Sequence, residues 1–247
     1  MMKQLLFAAA LCAALPAAAI AAAPDGNDVT TRPQAYFSTN EDGVDSLGLL
    51  PPPPEIGSVQ FLLDQARYQE GLIERNTPRG AQAAKDADMG ETAASFSEAF
   101  GMTISPDNTP ALFALLGKMR GELGDMATRG AKRHYMRVRP YVLNNAPTCY
   151  QPDEERIKKS GSYPSGHTSL GWGYALVLAE INPANKEAIL KRGYDIGQSR
   201  VICGYHWQSD VDAGRVAASA AIANLHANEE FQSMLARAKE EFKEKKQ

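Results

Sequence analysis

Gly161-Ser162-Tyr163-Pro164-Ser165-Gly166-His167-Thr168, followed from Leu170 by an apolar run with helical character, is the stretch around which the chain is organised. Pro164 fixes its own φ and biases Tyr163 toward an extended conformation, so the chain arrives as a tight loop. Gly166 leaves room for backbone to approach a ligand. A helix opening near His167 or Thr168 would aim its unspent N–H groups into that loop. Two readings fit these eight residues: an anion site at a helix N-terminus, or an N-cap by Ser165 or Thr168 beside an exposed histidine.

The 247 residues suit one domain with a buried core, and the formal charge of −3 gives no reason to expect a nucleic-acid partner. Any anion site must be local. Residues 1–21 read as a signal peptide: Lys3, an apolar Ala-rich run from Leu5 to Ile20, then small residues. No other apolar run is long enough to span a bilayer, so the mature chain is expected to be exported, with no membrane partner. Cys12 leaves with the signal. Cys149 and Cys203 remain, as a disulfide in an oxidising compartment or as two buried thiols.

Residues 22–57 are irregular and end in Pro51 to Pro54, a polyproline II segment that acts as a strap or a spacer. Residues 58–247 read as helices throughout. Ser58, Thr77-Pro78, Thr109-Pro110 and Asn182-Pro183 mark helix starts. Val59, Leu62, Leu63, Ala66 and Ile73 recur at helical spacing, as do Leu112, Leu115, Leu116, Met119, Leu123 and Met126. Gly117, Gly121 and Gly124 weaken the latter helix or allow close packing. Gly204 is placed to stop a helix, and two more follow from about Trp207 and Phe231. No segment alternates with period two, so the expected fold is all-α.

Three polar clusters stand out on this scaffold. Lys132 and Arg139 are seven residues apart, which on a helix brings them back within roughly 20° of each other. Pro140 would end that helix and leave Arg139 at its rim. Alone, this is equally a solvated basic face. The second cluster is the loop of Ser165, Gly166 and His167. The third is Ser199-Arg200 followed by His206-Trp207-Gln208-Ser209-Asp210. His206 and Asp210 are four apart, a spacing that lets them meet on one helix face and lets the carboxylate fix the imidazole tautomer. His134 and His226 have no such company and read as bystanders.

Taken together, Lys132 through six residues to Arg139-Pro140, then Pro164-Ser165-Gly166-His167, then Ser199-Arg200 through five residues to His206 and three more to Asp210, resembles the tripartite signature of the phosphatidic acid phosphatase type 2 superfamily. The resemblance is closer still to the bacterial class A non-specific acid phosphatases. It implies a single-domain helical bundle of the phosphatidic acid phosphatase type 2/haloperoxidase type, in an exported enzyme, periplasmic or secreted, that hydrolyses phosphomonoesters without cofactor or metal. Lys132, Arg139, Arg200, Ser165 and Gly166 would hold the phosphoryl oxygens. His206, oriented by Asp210, would attack phosphorus, and His167 would protonate the leaving group. The resemblance also implies a homo-oligomer inhibited by phosphate or vanadate. The motifs leave open a nucleoside di- or triphosphate hydrolase, a phosphotransferase and, less in keeping with the class A phrases, a vanadate-dependent haloperoxidase. A phosphate-binding protein without catalysis would not need an oriented nucleophile facing a second histidine.

Overall fold

The structure, a computed structural model, describes residues 36–37 and 43–247; the signal-peptide assignment lies outside them. Among the described residues every regular element is helical. In chain order the α-helices are α1 (Ser46–Leu49), α2 (Val59–Glu74), α3 (Pro78–Lys85), α4 (Ser97–Phe100), α5 (Pro110–Gly121), α6 (Ala127–Tyr135), α7 (Pro140–Leu143), α8 (Glu154–Ile157), α9 (Gly166–Ile181), α10 (Lys186–Ile202), α11 (Gln208–Leu225) and α12 (Glu229–Lys246). The all-α expectation holds.

Helix α9 is apolar or small nearly all round, which suits only a helix covered on every side. Leu170, Tyr174, Ala175, Val177 and Leu178 are accordingly buried, and α10, α11 and the segment before α6 close around it. The approach of α10 to α9 requires small residues: a methyl on Gly193 would overlap that of Ala175. The main core joins α9 to α5 and α12 through Leu112, Leu116, Leu235 and Phe242. Burial on this scale, at about 25 cal/mol per Å² of apolar surface, is what holds the first turn of α9 and its loop in place.

Local signals place several helix ends as expected. The Ser58 side chain accepts from Phe61 N–H, Thr77 accepts from Arg79 N–H, and Gly204 follows α10 with a φ of 77°. Thr109 departs from its expected role. Its hydroxyl bonds to the carbonyls of Thr103 and Ser105, so it braces the preceding turn and makes no side-chain cap to α5. Gly117 has open space where a Cβ would stand, so it serves no close packing. Helix α5 instead widens into one π-turn, Glu122–Met126, before α6.

One feature corrects the sequence reading and a second adds to it. Lys132 and Arg139 do not share a helix: α6 stops at Tyr135, Met136 is left-handed with φ 42°, and Arg139 is the extended N-cap of α7. Arg139 precedes Pro140, which disfavours the helical region for it, and Ser162 N–H takes the carbonyl of Arg137 at 2.9 Å. The second concerns α2. Its buried face is Phe61, Asp64, Tyr68 and Gly71, whereas Val59, Leu62, Leu63 and Ile73 form an apolar stripe facing outward.

The segment before α2 is a strap. Leu50 is buried, Ser46 Oγ accepts from Ala131 N–H, and the Pro51 carbonyl accepts from the Tyr163 hydroxyl at 2.7 Å. This segment thus clamps both α6 and the loop that leads into α9.

Candidate active site

The loop from Gly161 to Ser165 is held from three sides. Gly161 lies so close to α6 that a Cβ there would stand 2.5 Å from the Lys132 carbonyl oxygen. Ser165 N–H donates to the Asp210 carbonyl at 2.9 Å, which joins the loop to α11. Helix α9 opens at Gly166, one residue before the earliest start expected, with Ser165 as N-cap. Its Oγ accepts from Thr168 N–H at 3.3 Å and from the Thr168 hydroxyl at 2.9 Å. Accepting leaves the Ser165 proton to donate elsewhere, so the N-cap and anion-site readings are compatible. Gly166 is required for a reason beyond the one expected: a methyl there would overlap the carbonyl oxygen of Gly124 in the π-turn.

All the charged residues anticipated for the site converge beside this loop. Lys132 donates its Nζ to the Gly161 carbonyl at 3.1 Å. Arg139 is buried and spends its donors on carbonyls: Nε on Ile157 and Ser160, Nη1 on Tyr205, Nη2 on Gly161. Arg200, also buried, lies 4.1 Å over the Tyr205 ring and keeps Nε and Nη1 without hydrogen-bond partners. Burial of cations at such density is costly. Desolvation, then the Arg139 charge, lowers the Lys132 pKa to about 7. Desolvation likewise lowers Arg200 to about 10.

The two histidines take different supports. The His167 ring bonds to the Asp86 backbone carbonyl, and its buried Nε2 has no partner. Asp86 is presented by α3, which its carboxylate bolts to α10 through Arg192 and the Ser199 hydroxyl at 2.5 Å. His206 lies in the turn ahead of α11, so the expected shared helix face is not how it reaches Asp210. Trp207 is the N-cap; Asp210, at the third helical position, takes its N–H at 2.8 Å. The same carboxylate oxygen sits 3.4 Å from His206 Nδ1. On the far side of the ring, Nε2 lies 3.1 Å from Arg139 Nη1. Both histidines are held well below the ordinary value, first by desolvation and then by the cations: Arg200 for His167, and Arg139, Lys132 and Arg200 for His206.

The bystanders stay apart. His134 is exposed, and His226 pairs with Glu180 at the far end of α9. Cys149 and Cys203 are bonded, which resolves the two readings of that pair and ties the turn after Arg200 to the segment following α7. Sequence reading missed Asp86, whose carbonyl acts through the backbone, and missed Asp64 and Arg137 behind Asp210. The one signal for Asp64 was its spacing, between the aromatic residues Phe61 and Tyr68 on one face of α2.

Electrostatically the cluster gathers Lys132, Arg139 and Arg200 around two imidazoles, an arrangement able to receive a tetrahedral or trigonal-bipyramidal oxyanion. The comparisons supply the family. The PAP2 superfamily matches residues 112–230, which include all three clusters. The chain is 56% identical over 243 residues to a non-specific acid phosphatase of Providencia stuartii, covering 98% of both proteins. It is 43% identical over 211 residues to a non-specific acid phosphatase of Salmonella typhimurium, covering 85% of this chain and 84% of that one. An acid phosphatase of Zymomonas mobilis is 38% identical over 200 residues, 80% of this chain and 75% of that protein. A chain with this helical scaffold, this cluster of cations and histidines and these relatives belongs to the bacterial class A non-specific acid phosphatases of the PAP2 superfamily.

Proposed function

We propose that this acid phosphatase hydrolyses phosphomonoesters through a phosphohistidine at His206, without a metal, after export to the periplasm. The observation that carries the reading is the polarity of the His206 ring: Nδ1 faces the Asp210 carboxylate, and Nε2 faces the Arg139 guanidinium. A proton on Nδ1 leaves the lone pair of Nε2 pointing to where Arg139 would hold a phosphoryl group.

The ester enters with its non-bridging oxygens exchanging for the carbonyls now bound to Lys132 and Arg139, and accepting from the unspent donors of Arg200. Ser165 and the first-turn N–H of Gly166 add neutral donors. His206 Nε2 gives its electron pair to phosphorus while the P–O ester bond breaks and its pair leaves with the alkoxide. His167 supplies the proton. Burial and then the Arg200 charge disfavour a proton on His167 in the free site, and the dianion that docks beside Arg200 offsets the positive field and lets it bind one. In the second half His167 takes a proton from water, whose oxygen attacks phosphorus as the P–N bond breaks and its pair returns to Nε2. Three fixed cations stabilise the equatorial oxygens in both steps, the task a metal performs elsewhere.

Acid-quenched labelling with radioactive substrate tests this directly. Label is expected on wild-type protein and on none of the His206→Ala protein; label on another residue overturns the assignment. Turnover unchanged by EDTA supports the metal-free reading, and loss restored by zinc overturns it. The outward stripe of Val59, Leu62, Leu63 and Ile73 supports the implied homo-oligomer, since a stripe of this kind is typical of an interface. Sedimentation of Leu63→Asp against wild type checks that.

A further inference from the structure

Behind Asp210, on the side away from His206, lies a buried network that no motif announces. Arg137 Nη1 donates to Asp210 Oδ1 at 2.6 Å and to the Ser209 hydroxyl at 2.8 Å. Its Nη2 donates to Asp64 Oδ2 at 2.7 Å. Asp64 also accepts from Ser209 N–H at 2.8 Å and from the Ser209 hydroxyl at 2.6 Å. The guanidinium lies 5.7 Å over the Trp207 ring, so it is enclosed by α2, α11 and the turn between them in space. Asp210 is fully buried, and the side chains of Asp64 and Arg137 are 3% and 8% exposed, so these charges are screened by one another and scarcely by water.

We propose that Arg137 is a positioning residue for the reaction, holding Asp210 toward His206, and that Asp64 moderates it by drawing part of its charge away. The inference rests on the reading of His206 as nucleophile. The physical case concerns what Asp210 would do alone. A carboxylate buried beside an imidazole, with only the Trp207 N–H for further support, would either take up a proton or hold the imidazole as a cation. A protonated His206 has no lone pair to give. Arg137 supplies a permanent counter-charge on the opposite oxygen, so the carboxylate is partnered and oriented without that demand falling on His206. Asp64 prevents the opposite excess, in which the full cation would cancel the Asp210 charge and leave the ring unoriented. The other charged groups facing His206 are Lys132 from α6, Arg139 at the start of α7, His167 from α9 and Arg200 from α10, and none of them touches Arg137.

The network makes an opposed-sign test available. Removing the Arg137 charge leaves more of the Asp210 field on His206, so His206 holds its proton to higher pH. Removing the Asp64 charge does the reverse. In kcat/KM profiles for an aryl phosphate, the acid limb should rise by about one pH unit in Arg137→Gln and fall by roughly half a unit in Asp64→Asn. KM should stay within about twofold of wild type in both, because neither residue touches substrate. Arg137→Lys keeps the charge and loses the two-pronged geometry. Its limb should stay near the wild-type position while kcat falls roughly tenfold. A purely structural bolt between α2 and α11 would lower melting temperature and kcat together without moving the limbs in opposite directions. Limbs that stay put, or move the same way, overturn the proposal. Should Arg137→Gln not accumulate as folded protein, the near-isosteric Asp64→Asn decides alone: a lowered limb supports the relay, an unmoved or raised one overturns it. Label found in His206→Ala would mean that the nucleophile reading failed; unlabelled His206→Ala with unmoved limbs would mean that only the relay had.

Discussion

Arg139 Nη1 and His206 Nε2 face each other at 3.1 Å, a cation beside the nitrogen proposed to attack phosphorus. The same guanidinium holds the carbonyls of Ile157, Ser160, Tyr205 and Gly161. Arg139 therefore braces the site without any ligand, and on the proposed mechanism substrate trades places with some of these partners. Arg200 differs, with two unspent nitrogens, and is the cation best prepared for an incoming phosphate. Replacing each by lysine should separate the two roles. Arg200→Lys should raise KM with the fold intact, and Arg139→Lys should lower melting temperature as well, because one ammonium cannot satisfy carbonyls that a planar fork spans. Thermal melts beside steady-state kinetics check it.

Lys132 gives a reason for a preference for acid. Burial and its cationic neighbours bring its pKa down to about 7. Below that pH the ammonium is present in the empty site; above it the charge is lost, and affinity for a dianion should fall. Sulfate is a useful probe because its charge is constant from about pH 5 to about pH 9. Its inhibition constant should rise several-fold across neutrality in wild type and stay flat in Lys132→Arg, whose charge persists. A flat wild-type profile would remove Lys132 from the alkaline limb.

His206 and His167 should fail differently. His206→Ala should lose several orders of magnitude in turnover, the scale found for removal of a nucleophile. His167→Ala retains the nucleophile and loses the proton donor, so an aryl phosphate with a good leaving group should still label the protein while an alkyl phosphate should not. Rapid-quench labelling with both substrates separates the two. Asp210→Asn should depress turnover over the whole pH range, because the amide can no longer oppose the cations around His206.

The Cys149–Cys203 bond joins residues 54 apart and anchors the turn between Arg200 and His206. A closed loop of that length is typically worth about 2–4 kcal/mol against the unfolded chain. Cys149→Ser should lower the unfolding midpoint accordingly and raise KM modestly as the turn loosens. Intact mass with and without reductant gives the pairing itself, and two free thiols in the purified protein would remove it.

The chemical groups were legible in the sequence; their arrangement was only partly so. Helix starts at Ser58 and Thr77 follow from local hydrogen bonding, and the burial of α9 follows from a run with no polar face. Lys132 and Arg139 were misplaced because seven-residue spacing assumes an unbroken helix, while Met136 takes a left-handed conformation and the strand-like approach to Pro140 is fixed by Ser162. The α2 stripe misleads for a related reason: periodicity reports that a face is apolar, not which neighbour covers it. Arg137 and Asp64 lie 73 residues apart and meet only through the fold, so no local pattern encodes them.

Gly166 offers the sharpest contrast between a residue kept for ligand and one kept for packing. Its Cα faces the Gly124 carbonyl of the π-turn so closely that an added methyl must push the α9 start, the π-turn, or both. The backbone here is pinned by Ser165 N–H on Asp210 and by the Thr168 bonds to Ser165, so little relaxation is available. Overpacking of this kind costs about 1–3 kcal/mol. Gly166→Ala should therefore lose several degrees in melting temperature with no ligand present, along with a fall in kcat as Ser165 and His167 move. If glycine served only to let phosphate approach, the ligand-free melting temperature would be unchanged and KM alone would rise. Calorimetry of the phosphate-free protein distinguishes the two outcomes without any measurement of activity.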